Sequence, residues 1–537
     1  MTKYIFVTGG VISGLGKGVI SASIGSILQM LNQKDITIKK LDPYLNIDPG
    51  TMNPIEHGEV FVTNDGAETD LDLGYYERFL NIETTMSNST SSGQLFKKIL
   101  EKERNGDYLG KTVQMIPHFT DMIKDFICKG SDKYDYIICE IGGCVGDIEA
   151  MAFYEAIRQL INLIGVSNIL FIHLTYLVYY SITNELKTKP TQNTIRDLQQ
   201  VGITPDILIC RAEHEISSTI KDKLSLHVNI PTTNIIEAKN VSSIYEVPQL
   251  LIDQNIHQII SKKFSINPEI SSNKWTTLYN KITSLNQEIT IGLLGKYNDL
   301  NDSYKSLLEA LSHAGWQNNY KVNIQWINAR EDIEDYNNIS GVVIPGGFGT
   351  SGIENMLSYI KEYRENSIPV LGICLGMQLM VIEYCRNILG MSDSTSYEFS
   401  RYSGTHVITK IEGIPDDSMG GNMRLGSKTI SLQENTKVRN LIYKKNSINE
   451  RHRHRYIVNP EYIPLLLKSD FKPSGFSSND YDYSNEERGD VWSFLFTEIV
   501  ELKNHPWFIG CQYHPEYQSN PFNPHPLFLS FIENCIS

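Results

Sequence analysis

The sequence predicts an α/β protein of two domains, each a mainly parallel sheet flanked by helices. Three observations predict it. In the first half, short apolar runs of strand type alternate with amphipathic runs of helical period. Over residues 264–286 the pattern loosens into Ser, Asn, Lys and Pro. A fresh apolar run, Ile289-Thr290-Ile291-Gly292-Leu293-Leu294-Gly295, then restarts the alternation. The expected division is a first domain at 1–265, a linker at 266–287 and a second domain at 288–537. A chain of 537 residues is long enough for two full cores.

In order along the chain, residues 4–7, 36–40, 136–139, 169–173 and 207–210 read as buried strands. Segments 19–31, 92–102 and 119–128 read as the helices between them. The most apolar stretch, 169–180, is too short to span a bilayer and contains His173, so no membrane partner is expected. The chain runs from Met1 directly into a strand without the charged and apolar regions of a signal peptide. Its eight cysteines have neither zinc spacing nor disulfide-scaffold density, which fits a reducing, cytoplasmic setting. A net charge of −14 argues against general affinity for nucleic acid. Anionic substrates must then be met by local basic clusters. The polar stretch 471–490 reads as a surface loop.

The most informative residues are Gly372-Ile373-Cys374-Leu375-Gly376-Met377-Gln378, where an apolar strand ends at a cysteine and a helix begins. A nucleophile on a strand-to-helix turn needs small neighbours, because the backbone is strained there. The helix N-terminus beside the sulfur favours the thiolate. Partners lie in Gln512-Tyr513-His514-Pro515-Glu516-Tyr517. His514 and Glu516, two apart on extended backbone, point to one side, as a base and its orienting carboxylate must. Pro345-Gly346-Gly347-Phe348-Gly349 follows a strand and can turn backbone N–H groups toward an oxyanion. Together these three pieces resemble class I glutamine amidotransferases, in which such a cysteine releases ammonia from glutamine through a thioester.

In the first half, Gly9-Gly10-Val11-Ile12-Ser13-Gly14-Leu15-Gly16-Lys17-Gly18 joins a strand to a helix. Such a turn offers N–H groups and one cation to phosphate, although a tight glycine turn can also form without a ligand. Gly18 replaces the usual Ser or Thr of a phosphate loop, which leaves a metal ion to carboxylates elsewhere. Glu140, after an apolar strand, and the acidic run 65–72 are candidates. Further stretches are Leu41-Asp42-Pro43-Tyr44, His57-Gly58-Glu59-Val60-Phe61-Val62, Asp70-Leu71-Asp72-Leu73-Gly74 and Tyr76-Glu77-Arg78-Phe79. Glu140-Ile141-Gly142-Gly143, Gly146-Asp147-Ile148-Glu149 and Lys187-Thr188-Lys189-Pro190-Thr191-Gln192 follow in turn. These motifs, with the glutaminase motifs behind them, resemble the CTP synthase family over nearly the whole chain.

That resemblance implies a C–N ligase that makes CTP from UTP, with ATP as co-substrate, Mg²⁺ as cofactor and glutamine as nitrogen donor. It implies that Gly14, Leu15, Gly16, Lys17, Gly18 and Val19 wrap the ATP phosphates, that Lys40 and Asp72 join them, and that Arg211, Lys239, Asn240 and Val241 flank adenine. Asn240 stands where the family usually has aspartate. Asp72 and Glu140 are the implied metal ligands. Ser13, Lys187, Thr188, Lys189, Pro190, Thr191, Gln192 and Lys223 are implied to bind UTP, and Asp147, Ile148 and Glu149 to hold CTP as feedback inhibitor. Gly347, Leu375, Gly376, Met377, Gln378, Glu398 and Arg455 would bind glutamine, and Pro54, His57 and Val60 would gate the ammonia passage. The resemblance also implies a homotetramer, filaments and activation by GTP. Ser351 stands where the family's lid carries arginine, which predicts weak or altered GTP dependence. Two other readings are a catalytically silent filament subunit and another phosphate-loop amidotransferase acting on a carboxylate.

Overall fold

Every residue of strand Lys3–Gly9 except the first is buried. A strand apolar on both faces belongs inside a sheet covered on both sides, and that is its place in the computed structural model of the chain. The structure describes residues 1–296, 301–329, 338–413, 422–478 and 495–536, without the side chains of residues 54, 55 and 301. The chain packs as two units, one of residues 1–49 and 72–283, the other of 50–71 and 284–537.

In the first unit Lys3–Gly9 lies between Tyr136–Ile141 and Ile169–Tyr176. Ile36–Asp42 and then Ser89–Ser91 extend the sheet beyond Tyr136–Ile141. Ile207–Ala212 and Ile235–Lys239 extend it on the other side. All these pairings are parallel, as the alternating pattern predicts. Helix Lys17–Met30 follows the central strand, and Gly16 precedes it in the left-handed region, at φ 87°. The segment expected as a linker contains helix Lys274–Thr283. Its fully buried Trp275 donates from Nε1 to Ser26 Oγ at 2.6 Å.

In the second unit Tyr320–Asn328, Gln287–Gly295, Gly341–Ile344, Val370–Ile373 and Phe508–Cys511 form a parallel run. Leu495–Leu502, Phe471–Ser478, Arg424–Leu432 and Ser447–His454 continue it in antiparallel sense. Phe471–Ser478 is thus a strand, not the loop its composition suggests. Its polar letters mislead because they are buried: Ser474 and Ser477 are inside, and Gly475 lets Ile499 approach closely. Residues 479–490 of the expected loop lie outside the described set. Residues 50–71 also belong to this unit, as a hairpin of Val60–Val62 with Glu68–Asp70.

Candidate active sites

Strand Val370–Ile373 delivers Cys374 to the start of helix Leu375–Asn387. Cys374 has φ 53°, a strained value for a residue with a Cβ. Its N–H donates to Cys511 O at 2.7 Å and its carbonyl accepts from Gln378 N at 3.2 Å, so both neighbours hold the turn. A Cβ at 376 would overlap Ile344 O, and one at 372 would meet Gly376 C at 2.8 Å. Only glycine fits there. Gln512 Nε2 lies 3.6 Å from the sulfur.

Strand Phe508–Cys511 runs beside Val370–Ile373 and leads to His514, whose Nδ1 is 2.7 Å from Glu516 Oε1. Burial pulls the His514 pKa down, but the charge of Glu516 and hydrogen bonds with Cys374 and Glu516 outweigh it and raise the value to about 10. The imidazole therefore holds a proton at neutral pH, ready to give to a leaving amine. Gly346 packs so closely on this ring that a Cβ there would meet Cε1 at 2.8 Å. Gly347 lines the same cavity as Cys374 and His514.

Gln378 is buried and donates to Tyr456 O and Gln512 Oε1, both at 3.2 Å. Glu398 accepts from Gly349 N at 2.8 Å. Burial raises the Glu398 pKa, opposed by that hydrogen bond and by Lys296 and Arg455. Arg455 Nη2 donates to Asn422 Oδ1 at 3.1 Å, while its buried Nε has no hydrogen-bond partner among the described residues. A carboxylate from an amino acid would satisfy that donor, and Glu398 suits its ammonium. Lys296, which the motifs do not single out, donates to Gly349 O at 2.6 Å and pins the same loop.

Of the expected gate, Val60 is buried and lines the Cys374 cavity, whereas His57 is exposed. The side chain of Pro54 lies outside the described residues.

In the first unit Gly14 and Gly16 take φ 70° and 87°, and Lys17 Nζ donates to Gly143 O at 2.7 Å. Burial lowers the Lys17 pKa, against the nearby charge of Glu140. Gly18 is explained by packing: a Cβ there would overlap Asp72 Oδ1. The carboxylate of Asp72 takes the space that a phosphate-loop Ser or Thr side chain would fill. Lys40 Nζ bonds Asp72 Oδ2 and lies 3.0 Å from Glu140 Oε1. Tyr76 OH donates to Glu140 Oε2. Burial raises the Glu140 pKa, helped by Asp72 and opposed by Lys40. Two carboxylates beside a phosphate-type loop are the hard oxygen donors that Mg²⁺ prefers, so this set fits the ion.

Arg211 Nη1 donates to Leu15 O at 3.2 Å, and its Nε and Nη2 both reach Asn240 Oδ1 at 3.3 Å. Asn240 thus keeps one acceptor oxygen of the usual aspartate. Lys239, the last residue of strand Ile235–Lys239, is exposed, and Val241 two residues beyond it is half-buried. Lys187 bonds Glu185, and that bond, then Thr183, lowers the Glu185 pKa; Lys223 is exposed on helix Ser218–Val228. Thr188, Thr191 and Gln192 are buried, Pro190 is half-buried, and Lys189 opens helix Lys189–Gln200. Ser13, Asp147, Ile148 and Glu149 are exposed, and Asp147 Oδ2 accepts from Cys144 N at 2.8 Å.

Sequence reasoning passed over two buried clusters. His173 bridges Thr8 Oγ1 at 2.9 Å and Thr194 Oγ1 at 3.3 Å; burial and then Lys17 lower its pKa to about 3. His452, His454 and Glu498 bring ligand-type atoms within 4.8 Å of one another. Arg424 Nη1 already sits among them, at 3.2, 3.4 and 2.6 Å, so a guanidinium supplies the positive charge there. His452 and His454 are two apart on strand Ser447–His454, but only tertiary packing brings Glu498 and Arg424 to them, and Thr8 and Thr194 to His173.

The family model of the CTP synthase N-terminus matches residues 3–266, and that of class-I glutamine amidotransferases matches 299–534. A CTP synthase of Hydrogenobaculum sp. is 49% identical, covering 99% of this chain and 98% of its own length. One of Aquifex aeolicus is 47% identical over 100% of this chain and 99% of its own. The solved glutaminase domain of Trypanosoma brucei CTPS with bound acivicin is 31% identical, covers 46% of this chain and 94% of its own, and has a TM-score of 0.41.

Proposed function

The chain belongs to the CTP synthase family, glutamine-hydrolysing ligases with a synthetase and an amidotransferase part, and on that footing we propose the roles of its residues. The observation that carries the reading is the convergence of Cys374, His514 and Glu516 on one cavity behind Gly346 and Gly347. Arg455 and Glu398 hold the carboxylate and ammonium of glutamine. Cys374 attacks the amide carbon, N–H groups of Gly347 and Leu375 meet the oxyanion, and His514 gives its proton to the departing nitrogen. Ammonia leaves and a thioester remains. Water, losing a proton to His514, hydrolyses it to glutamate. Gly376, Met377 and Gln378 shape this pocket.

In the synthetase unit Gly14 to Val19, Lys17 and Lys40 hold the ATP phosphates, and Arg211, Lys239, Asn240 and Val241 flank adenine. Asp72 and Glu140 would hold Mg²⁺, which when bound neutralises phosphate charge. Ser13, Lys187 to Gln192 and Lys223 bind UTP; Asp147 to Glu149 hold CTP. ATP phosphorylates the uracil O4, ammonia attacks C4, and phosphate leaves with that oxygen. Val60, with Pro54 and His57, controls the exit of ammonia. GTP activation is weak or altered because of Ser351.

No helix of the described residues is long and apolar enough to cross a membrane. The eight cysteines are free, which supports a cytoplasmic setting. Exposed Leu45, Ile47 and Leu100 around an open groove support a homotetramer, and filaments built from it.

The test is CTP formation from UTP, ATP and Mg²⁺ with glutamine or ammonium, for the wild type and Cys374→Ala. The variant should lose glutamine-driven synthesis and keep ammonium-driven synthesis. Loss of both would refute the two-site assignment. No product from the wild type would favour the silent-subunit reading.

A further inference from the structure

The cavity beside Cys374 measures about 90 Å³, well below the roughly 300 Å³ or more of ordinary ligand pockets. It has room for a molecule the size of ammonia. One of its walls comes from the hairpin within residues 50–71, and Val60 and Tyr517 both line it. Ammonia that meets bulk water is protonated and ceases to be a nucleophile. The wall and the triad must therefore keep their relative position while ammonia is present.

Tyr517 is built to hold that position. Its ring is buried, at 6% exposure, and stacks on the His514 ring with centroids 5.2 Å apart and 18° between planes. Its OH donates to Val60 O at 2.8 Å. Phe61, the next residue of the hairpin, meets the Tyr517 ring edge-on at 5.1 Å. Burial and the charge of Glu516 raise the phenol well above its ordinary pKa, so it stays a donor. A second anchor lies on the other side of Val60. Glu59 accepts from Ser306 N at 2.9 Å, and its own N–H donates to Asp302 O at 2.9 Å. Val60 is thus tied to the triad loop by Tyr517 and to the N-terminus of helix Lys305–Gln317 by Glu59.

We propose that Tyr517 is a positioning residue that locks the Val60 wall to the His514 loop, so that ammonia released at Cys374 is delivered rather than lost. The proposal rests on the glutaminase reading of this cavity. A merely structural tyrosine would change both products alike; a positioning tyrosine changes their ratio.

The experiment uses the full chain with UTP, ATP, Mg²⁺ and glutamine, and measures glutamate and CTP in the same samples. Tyr517→Phe removes the one oxygen and keeps the ring on His514. CTP formed per glutamate should fall about fivefold, the population shift that loss of one such hydrogen bond produces. Ammonium-driven synthesis serves as the internal reference and should not fall with it. Glu59→Ala, which cuts the other anchor without touching His514, should lower the same ratio. A wild-type ratio in both variants would overturn the proposal. So would a parallel fall of glutamate and CTP at constant ratio, which would confine Tyr517 to supporting His514. If the wild type makes no CTP from ammonium, the functional reading fails first and the proposal falls with it.

Discussion

Gly18 shows how one missing Cβ organises a site. Its absence admits the Asp72 carboxylate against the glycine-rich loop, where Lys40 and Glu140 complete the charge cluster. Gly18→Ala should push Asp72 away and reduce ammonium-driven CTP synthesis by about a hundredfold, the scale of removing one preorganised electrostatic contact. Steady-state rates with ammonium as nitrogen source would check this. Arg455 makes the matching case in the glutaminase. Its buried Nε has no hydrogen-bond partner among the described residues, and the proposed glutamine carboxylate would supply one. Arg455→Ala should raise the KM for glutamine by about tenfold to a hundredfold, the range of a lost charge-assisted hydrogen bond. An unchanged KM would remove Arg455 from the substrate's carboxylate.

At the scale of elements, polar composition is the least faithful guide. Residues 264–286 look like a linker, yet helix Lys274–Thr283 closes the face of the first unit. Trp275 lies within 4.9 Å of Phe79 and 5.7 Å of Tyr245, ring centre to ring centre. Trp275→Ala should destabilise the protein by about 3–5 kcal/mol, as for other buried aromatic truncations. Urea unfolding followed by circular dichroism would measure it, and a cost below about 1 kcal/mol would mean the helix is dispensable. Strand Phe471–Ser478 is the second such case, since it buries Ser474 and Ser477, and Ser477 bonds Glu498 and Arg424. The hairpin of residues 50–71 is the third. Arg453 Nε donates to Glu68 Oε1 at 2.8 Å, and Arg451 Nε reaches Asn64 Oδ1 at 2.5 Å. Nothing in its local pattern assigns it to the second unit.

For the whole molecule, pH sets a limit through His514. Its folded pKa, about 10, lies above the ordinary 6.5. The stability it contributes is therefore complete below pH 6.5 and disappears as pH rises through about 10. Glu516→Gln removes the partner charge, so the stability gap between wild type and variant should narrow steadily over that window. Denaturant midpoints at several pH values would show it, and a gap independent of pH would contradict the assignment. Regulation is the other property at this scale. Ser351 is exposed, and on the proposed reading it stands where the family's lid carries arginine. Glutamine hydrolysis should respond weakly to GTP, and Ser351→Arg should increase the response. Strong stimulation of the wild type would refute this.

Sequence by itself determined the alternation of strands and helices, the order of the motifs and the family they belong to. Those features are local: an apolar period, a glycine beside a strained cysteine, a carboxylate two residues from a histidine. Only the tertiary structure decided which segment walls the Cys374 cavity, why position 18 must be glycine, and that Tyr517 grips Val60. Each of these joins residues far apart in the chain. Such contacts are chosen by packing and by the pairing of buried polar groups, neither of which leaves a periodic trace in sequence.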